Sequence, residues 1–140
     1  MKLIKKLSFA FMLMVGSATT MQAQIVKVPQ AYMFGFVASF NDSTVYFTNI
    51  QQVDSVWVTK KKKMLSGRNQ YSYQLREYFA KERQQPNRTC VVVADINRKK
   101  LEKKYTKMKN KYMVKSKKPY DVRTIADSDF KFTTVNMSDE

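Results

Sequence analysis

The sequence predicts a single two-layer α+β domain over residues 24–140, a mixed sheet of about 4–6 strands with two helices on one face. Three observations predict it. Two runs rich in aromatic and β-favouring residues, Tyr32 to Phe40 and Ser43 to Thr48, are separated only by Asn41 and Asp42. Apolar residues recur at helical spacing in two places: Tyr71, Leu75, Tyr78 and Phe79, then Leu101, Tyr105, Met108 and Tyr112. Between them lies the short, continuous apolar run Cys90 to Ala94.

Residues 24–31 read as a lead-in broken by Pro29. Asn41 and Asp42 tolerate positive φ and suit a tight hairpin. In the second strand Val45 and Phe47 fall on one face and Thr44, Tyr46 and Thr48 on the other, which predicts one wetter face. Val53 to Val58 alternates weakly and is compatible with a third strand or an irregular continuation. Lys60 to Lys63 reads as a surface turn. The first helix is expected to be capped by Asn69 and to end before Pro86.

Cys90 to Ala94 has the length and composition of a strand covered on both faces. A second helix is predicted from about Arg98 to Met113, with Asn97 as its cap. Tyr120 to Ile125 and Phe130 to Val135 read as strands joined by Ala126 to Asp129. The unit from Cys90 to Ile125 would be a right-handed crossover if its strands are parallel neighbours.

Residues 1–23 have the three-part order of a cleavable secretory signal peptide. Lys2, Lys5 and Lys6 form the positive region, Leu7 to Val15 the apolar region, and Gly16 to Ala23 a stretch of mostly small or uncharged residues. Cleavage is expected after Ala23, leaving Gln24 first, with cleavage after Ala18 as the alternative. This nine-residue region is too short for a spanning helix, which needs about 20 apolar residues. No later segment is apolar enough to span, so the mature chain is expected to carry no transmembrane segment. Cys90 lies far from the leader, so no lipoprotein attachment pattern is present. The leader, ending Thr-Met-Gln-Ala-Gln, resembles those of small exported proteins of Gram-negative bacteria, and the mature part is similar to the short uncharacterised proteins common among them. The resemblance implies a periplasmic or extracellular location and no particular activity. The strand-then-helix pattern of Val91 to Tyr112 is also similar to half of a SPOR domain, a peptidoglycan-binding module, but Ala94 to Asn97 lacks its small Gly-Ser pair and no binding residue is carried over.

The chain has 26 basic and 11 acidic residues, a net charge of +15. The leader holds three of the lysines, so +12 remains on residues 24–140. Such a bias attracts anionic partners. For an exported protein these are anionic lipid, lipopolysaccharide or wall polymer. Nucleic acid ranks below them, because it is the default partner only in the cytoplasm. A single cysteine forms no internal disulfide, and Cys90 reads as a small buried hydrophobe or, in an oxidising compartment, an intermolecular link.

Catalytic signatures are missing from the sequence. There is no histidine, the commonest general base and metal ligand. Gly35 and Gly67 are the only glycines after the leader, so no glycine-rich loop can cradle a phosphate. Asp127 and Asp129 lack the turn glycine and distal Glu of a calcium loop. Ser128 to Lys131 matches Ser-x-x-Lys but enters a strand-like stretch, and no Lys-Thr-Gly partner exists. No catalytic, cofactor-binding or metal-binding residue is therefore assigned, and no cofactor or enzymatic activity is expected.

One feature stands out. From Arg98 to Lys118 there are eleven basic residues and a single acid, Glu102. Leu101, Tyr105, Met108 and Tyr112 fall within about 60° of one another at 100° per residue. A narrow packing stripe is thus flanked by lysine. Repeated i,i+4 lysine pairs such as Lys99/Lys103 cost a few tenths of a kcal/mol each. The candidate anion-binding residues are Lys99, Lys100, Lys103, Lys104, Lys107 and Lys111. The alternative is a structural or protein-interaction domain whose charge only keeps it soluble. The sequence leaves the oligomeric state open.

Overall fold

A computed structural model describes residues 24–138. The expected leader, residues 1–23, and its expected cleavage position lie outside the described residues. The order is β1 (Ile25–Ala38), β2 (Thr44–Thr48), β3 (Gln51–Thr59), α1 (Arg68–Lys81), β4 (Thr89–Asp95), α2 (Arg98–Asn110), a π-helical turn (Lys111–Lys115) and β5 (Asp121–Ile125). The expected single α+β domain, mixed sheet and two helices are all present. The five-stranded sheet is mixed because β5 runs parallel to β2, whereas β1 is antiparallel to β2, β3 and β4.

β2 and β3 lie along the same edge of β1, because β4 pairs with β1 on the other edge across both of their registers. Between Phe36↔Phe47 and Met33↔Gln51, three steps along β1 face four along its partner. Residues 44–59 are therefore one long strand interrupted by a bulge at Asn49-Ile50. β1 and this strand make a single hairpin, and Pro29 lies within it rather than ending a lead-in. Opposite Pro29 stands Ser55, with φ +55°. Inward positions change parity there: Ala31, Met33 and Val53 on one side, Val26, Val28, Val56 and Val58 on the other, all packed in one cluster. That switch explains the weak alternation of Val53 to Val58.

Several expectations are corrected. The helices lie on opposite faces, so the domain has three layers rather than two. Met33 and Val37 pack with Tyr71, Leu75 and Phe79 of α1, while the alternate residues Phe34 and Phe36 pack with Leu101 of α2. Both faces of β2 are likewise buried, so neither is wet. The cause is topological. α1 carries the chain from β3 across β1 to β4, and α2 carries it back across β1 and β2 to β5. Two crossovers of one hand that run in opposite directions must place their helices on opposite faces. β4 and β5 are parallel but not neighbours, so the simple crossover unit is also corrected.

Three local expectations change as well. The hairpin loop spans Ser39 to Ser43, and Phe40 stands in it fully exposed rather than in a strand. Gly67, not Asn69, is the N-cap of α1, with φ +78°, a left-handed conformation that glycine adopts at no steric cost. Phe130 to Val135 forms no strand. It is a strap whose backbone is held by side chains instead. Gln51 Nε2 donates to the Phe130 carbonyl at 3.0 Å and Gln51 Oε1 accepts from Phe132 N–H at 2.9 Å. The Gln74 amide makes the same reciprocal pair with Thr133, both at 2.9 Å. Phe130 and Phe132 are buried beneath it.

Candidate anionic-surface interface

α2 begins where the sequence places it. Asn97 Oδ1 accepts the Lys100 N–H at 3.2 Å, and Asp95 Oδ1 accepts the Asn97 N–H at 2.8 Å, so two amides of the turn are satisfied. No acid occupies the first helical turn, where Lys99 and Lys100 oppose the positive end of the helix dipole. The packing stripe is also as read. Leu101 is fully buried, with Tyr105, Met108 and Tyr112 partly buried against Phe34, Phe36 and Phe47. Tyr105 stacks edge-on against Phe34 at 4.8 Å and donates its hydroxyl to the Thr48 carbonyl at 2.9 Å. Tyr112 stacks on Phe36 at 5.1 Å. These rings fix the rotation of the helix on the sheet.

With the rotation fixed, all six candidate lysines are exposed. They occupy one continuous arc of about 140°, beginning beside the packing stripe. Among the described residues, Lys104 alone of the six has an acidic partner, Asp95 at 3.6 Å. Lys99, Lys103 and Lys107 line a shallow groove of about 630 Å³ with Glu102, Thr106, Asn110 and Lys115. Arg98 and Glu102 pair with each other at 3.1 Å beyond that arc. Lys109, one turn from Tyr105, folds over the Tyr105 ring at 4.6 Å and is half-buried, so it belongs to the packing and not to the exposed arc.

Lys60–Lys63 does not extend this surface. That turn continues from the Ile25↔Thr59 end of the hairpin, where Lys60 N–H donates to the Gln24 carbonyl. α2 starts over Tyr32, on which Arg98 lies at 5.6 Å, and runs away toward Phe36. About 25 Å of strand separates the two basic runs.

Among the described residues, the other clusters show no activated group. Cys90 sits in a groove between α1 and β4 with Arg76 and Tyr73. Burial pushes its thiol up to about 11, only partly offset by Arg76 and Arg88, so it stays protonated and a poor nucleophile at neutral pH. Ser128 is exposed in the turn before the strap, and Asp127 only meets Asn49 at 3.5 Å. Among the described residues no three His, Cys, Asp or Glu side chains are grouped to hold a metal. No helix among them is long and apolar enough to cross a membrane. Comparison with family models, curated proteins and solved structures gives no match to this chain.

The sequence reading missed the far end of the basic segment. The α-helix stops at Asn110 and widens into the π-helical turn, and Met113 and Val114 there are 63% and 75% exposed. The signal was present, as two apolar residues flanked by Lys111, Lys115, Lys117 and Lys118 that continue no packing stripe.

Proposed function

We propose that this chain is an exported, non-enzymatic domain that binds anionic envelope components through the lysine face of α2. The observation that carries the reading is the arc of exposed lysines, five of the six without an ion pair among the described residues, beside a stripe locked into the core. The leader pattern supports export, and the balance of +12 on residues 24–140 supports long-range attraction to anionic surfaces.

The test reverses Lys103, Lys107 and Lys111 to Glu together, which leaves the Lys104–Asp95 pair untouched. Each lysine near an anionic bilayer contributes about 1 kcal/mol. Binding to anionic vesicles or soluble polyphosphate should therefore fall about 100-fold or more, and wild-type binding should fall steeply with salt. Leu101→Ala supplies the contrast: it should destabilise the domain by about 2–5 kcal/mol. Unchanged binding by the triple reversal at low ionic strength would leave the charge with a solubilising role only.

A further inference from the structure

The end of the domain where α2 terminates carries a second kind of surface. The Ser39–Ser43 loop, the π-helical turn and the start of β5 meet there. Asp121 N–H donates to the Ser43 carbonyl at 2.9 Å, Tyr120 packs edge-on against Tyr112 at 5.0 Å, and Tyr112 lies on Phe36. Three large apolar side chains, Phe40, Met113 and Val114, stand exposed at this one end. The Phe40 loop is pinned by local bonds, Asn41 N–H to Ser39 Oγ at 3.1 Å and Thr44 N–H to Asp42 Oδ1 at 3.0 Å. Its ring is thus presented on an ordered turn.

The charge around these side chains is one-sided. Lys111, Lys115, Lys117 and Lys118 are exposed. Among the described residues, the two acids at this end are both paired with arginine: Asp42 with the buried Arg88 side chain at 2.6 Å, Asp121 with Arg123 at 2.8 Å. Half-buried Tyr112 and Tyr120, each under a lysine ammonium at 5.7 Å, line the boundary between apolar tip and basic rim. Aromatic rings with one wet end suit the head-group level of a bilayer.

We propose that this end docks on the surface of an anionic lipid bilayer, with Phe40, Met113 and Val114 entering the head-group and acyl boundary and the rim lysines meeting lipid phosphates. The inference rests on the reading of the chain as an anion binder and names which anion. A hydrated polymer offers phosphate or carboxylate to lysine but nothing to exposed apolar tips. A bilayer offers both, and buried apolar area adds to the electrostatic attraction. Docking is end-on, so Lys99 and Lys100, three turns back along α2, stand clear of the lipid.

The test compares Phe40→Ser/Met113→Ser/Val114→Ser with the Lys103, Lys107 and Lys111 reversal, both in the chain from Gln24, which contains every described element. The probes are phosphatidylglycerol vesicles and soluble polyphosphate. The serine triple should lose about tenfold or more in vesicle partitioning, keep its polyphosphate binding and keep the wild-type unfolding midpoint. Phe40→Trp should show a blue shift of emission on vesicles above the Trp57 background. If the serine triple partitions like wild type while the lysine reversal loses both probes, the apolar tip is not a membrane element, although the anion-binding reading stands. Equal loss of both probes by the serine triple also overturns bilayer insertion. If neither variant changes either probe, the basic face binds neither surface and both inferences fall.

Discussion

Leu75 fills the space that a Cβ on Gly35 would occupy. Its Cδ2 lies over the glycine, and Thr48 Cγ2 and Phe132 Cζ stand 3.3 and 3.4 Å from the same point. The Gly35 N–H donates to Thr48 Oγ1 at 2.8 Å, so the strand cannot move away from the helix without breaking a buried bond. This contact seats α1 at the centre of β1. Leu75 is fully buried.

Gly35→Ala should therefore destabilise the domain by about 1–3 kcal/mol through overpacking. Leu75→Ala alone should cost about 2–5 kcal/mol as a cavity. The double variant should cost less than the sum, because the new methyl enters the space that Leu75 vacates. Urea denaturation of the four proteins measures the coupling, and strict additivity would show that the two residues do not share that space.

Gln51 is buried, and both halves of its amide are spent on the strap. Gln51→Leu keeps the bulk but leaves the Phe130 carbonyl and the Phe132 N–H unpaired, at about 1–3 kcal/mol for each group. Gln74→Leu disturbs an exposed pair that water can replace and should cost about 1 kcal/mol or less. Amide hydrogen exchange at residues 130–135 should accelerate in the first variant well before global unfolding. Equal costs for the two variants would place the strap outside the cooperative core.

Burial raises the Cys90 thiol from 9.0 to about 11, and burial also raises Tyr71 above 10.0. Both groups hold their protons more tightly when folded. The stability this contributes is complete below their unfolded values and is lost as pH rises through the folded ones. The domain should weaken between about pH 9 and 11, and Cys90→Ala should flatten part of that decline. Alkylation of native Cys90 should be slow at pH 8 and become fast on unfolding. Rapid native labelling at pH 8 would mean that the thiol is far more acidic.

Processing is the fourth expectation. Protein recovered from a Gram-negative envelope should begin at Gln24, as intact mass and N-terminal sequencing would show. A chain that retains Met1 in that fraction would contradict the leader reading.

Much of the fold was legible locally. Asn97 caps α2, the Leu101–Tyr112 stripe packs as its spacing requires, and Cys90 to Ala94 is a strand, although it lies at the sheet edge with Val91 exposed and is not covered on both faces. These features depend on residues within a few positions of one another. The strap illustrates the opposite case. Phe130, Phe132 and Val135 look like a strand because they are apolar and β-favouring, yet their backbone partners are the side chains of Gln51, Gln74 and Tyr71, far away in sequence. No local pattern distinguishes a ladder partner from a glutamine amide.

The sequence by itself determined the charge, the two helices and the rotation of α2 that exposes its lysine arc, because composition and helical period act at short range. Tertiary structure decided the layer count, since the face on which a helix lands depends on the direction in which each crossover travels along the sheet. Even so, the unbroken apolar run from Met33 to Val37 already required cover on both sides. Tertiary structure also decided which basic and apolar residues share an end of the molecule. Phe40 and Met113 are more than seventy positions apart, and the parallel pairing of β5 with β2 together with Tyr112 on Phe36 brings their segments to one end.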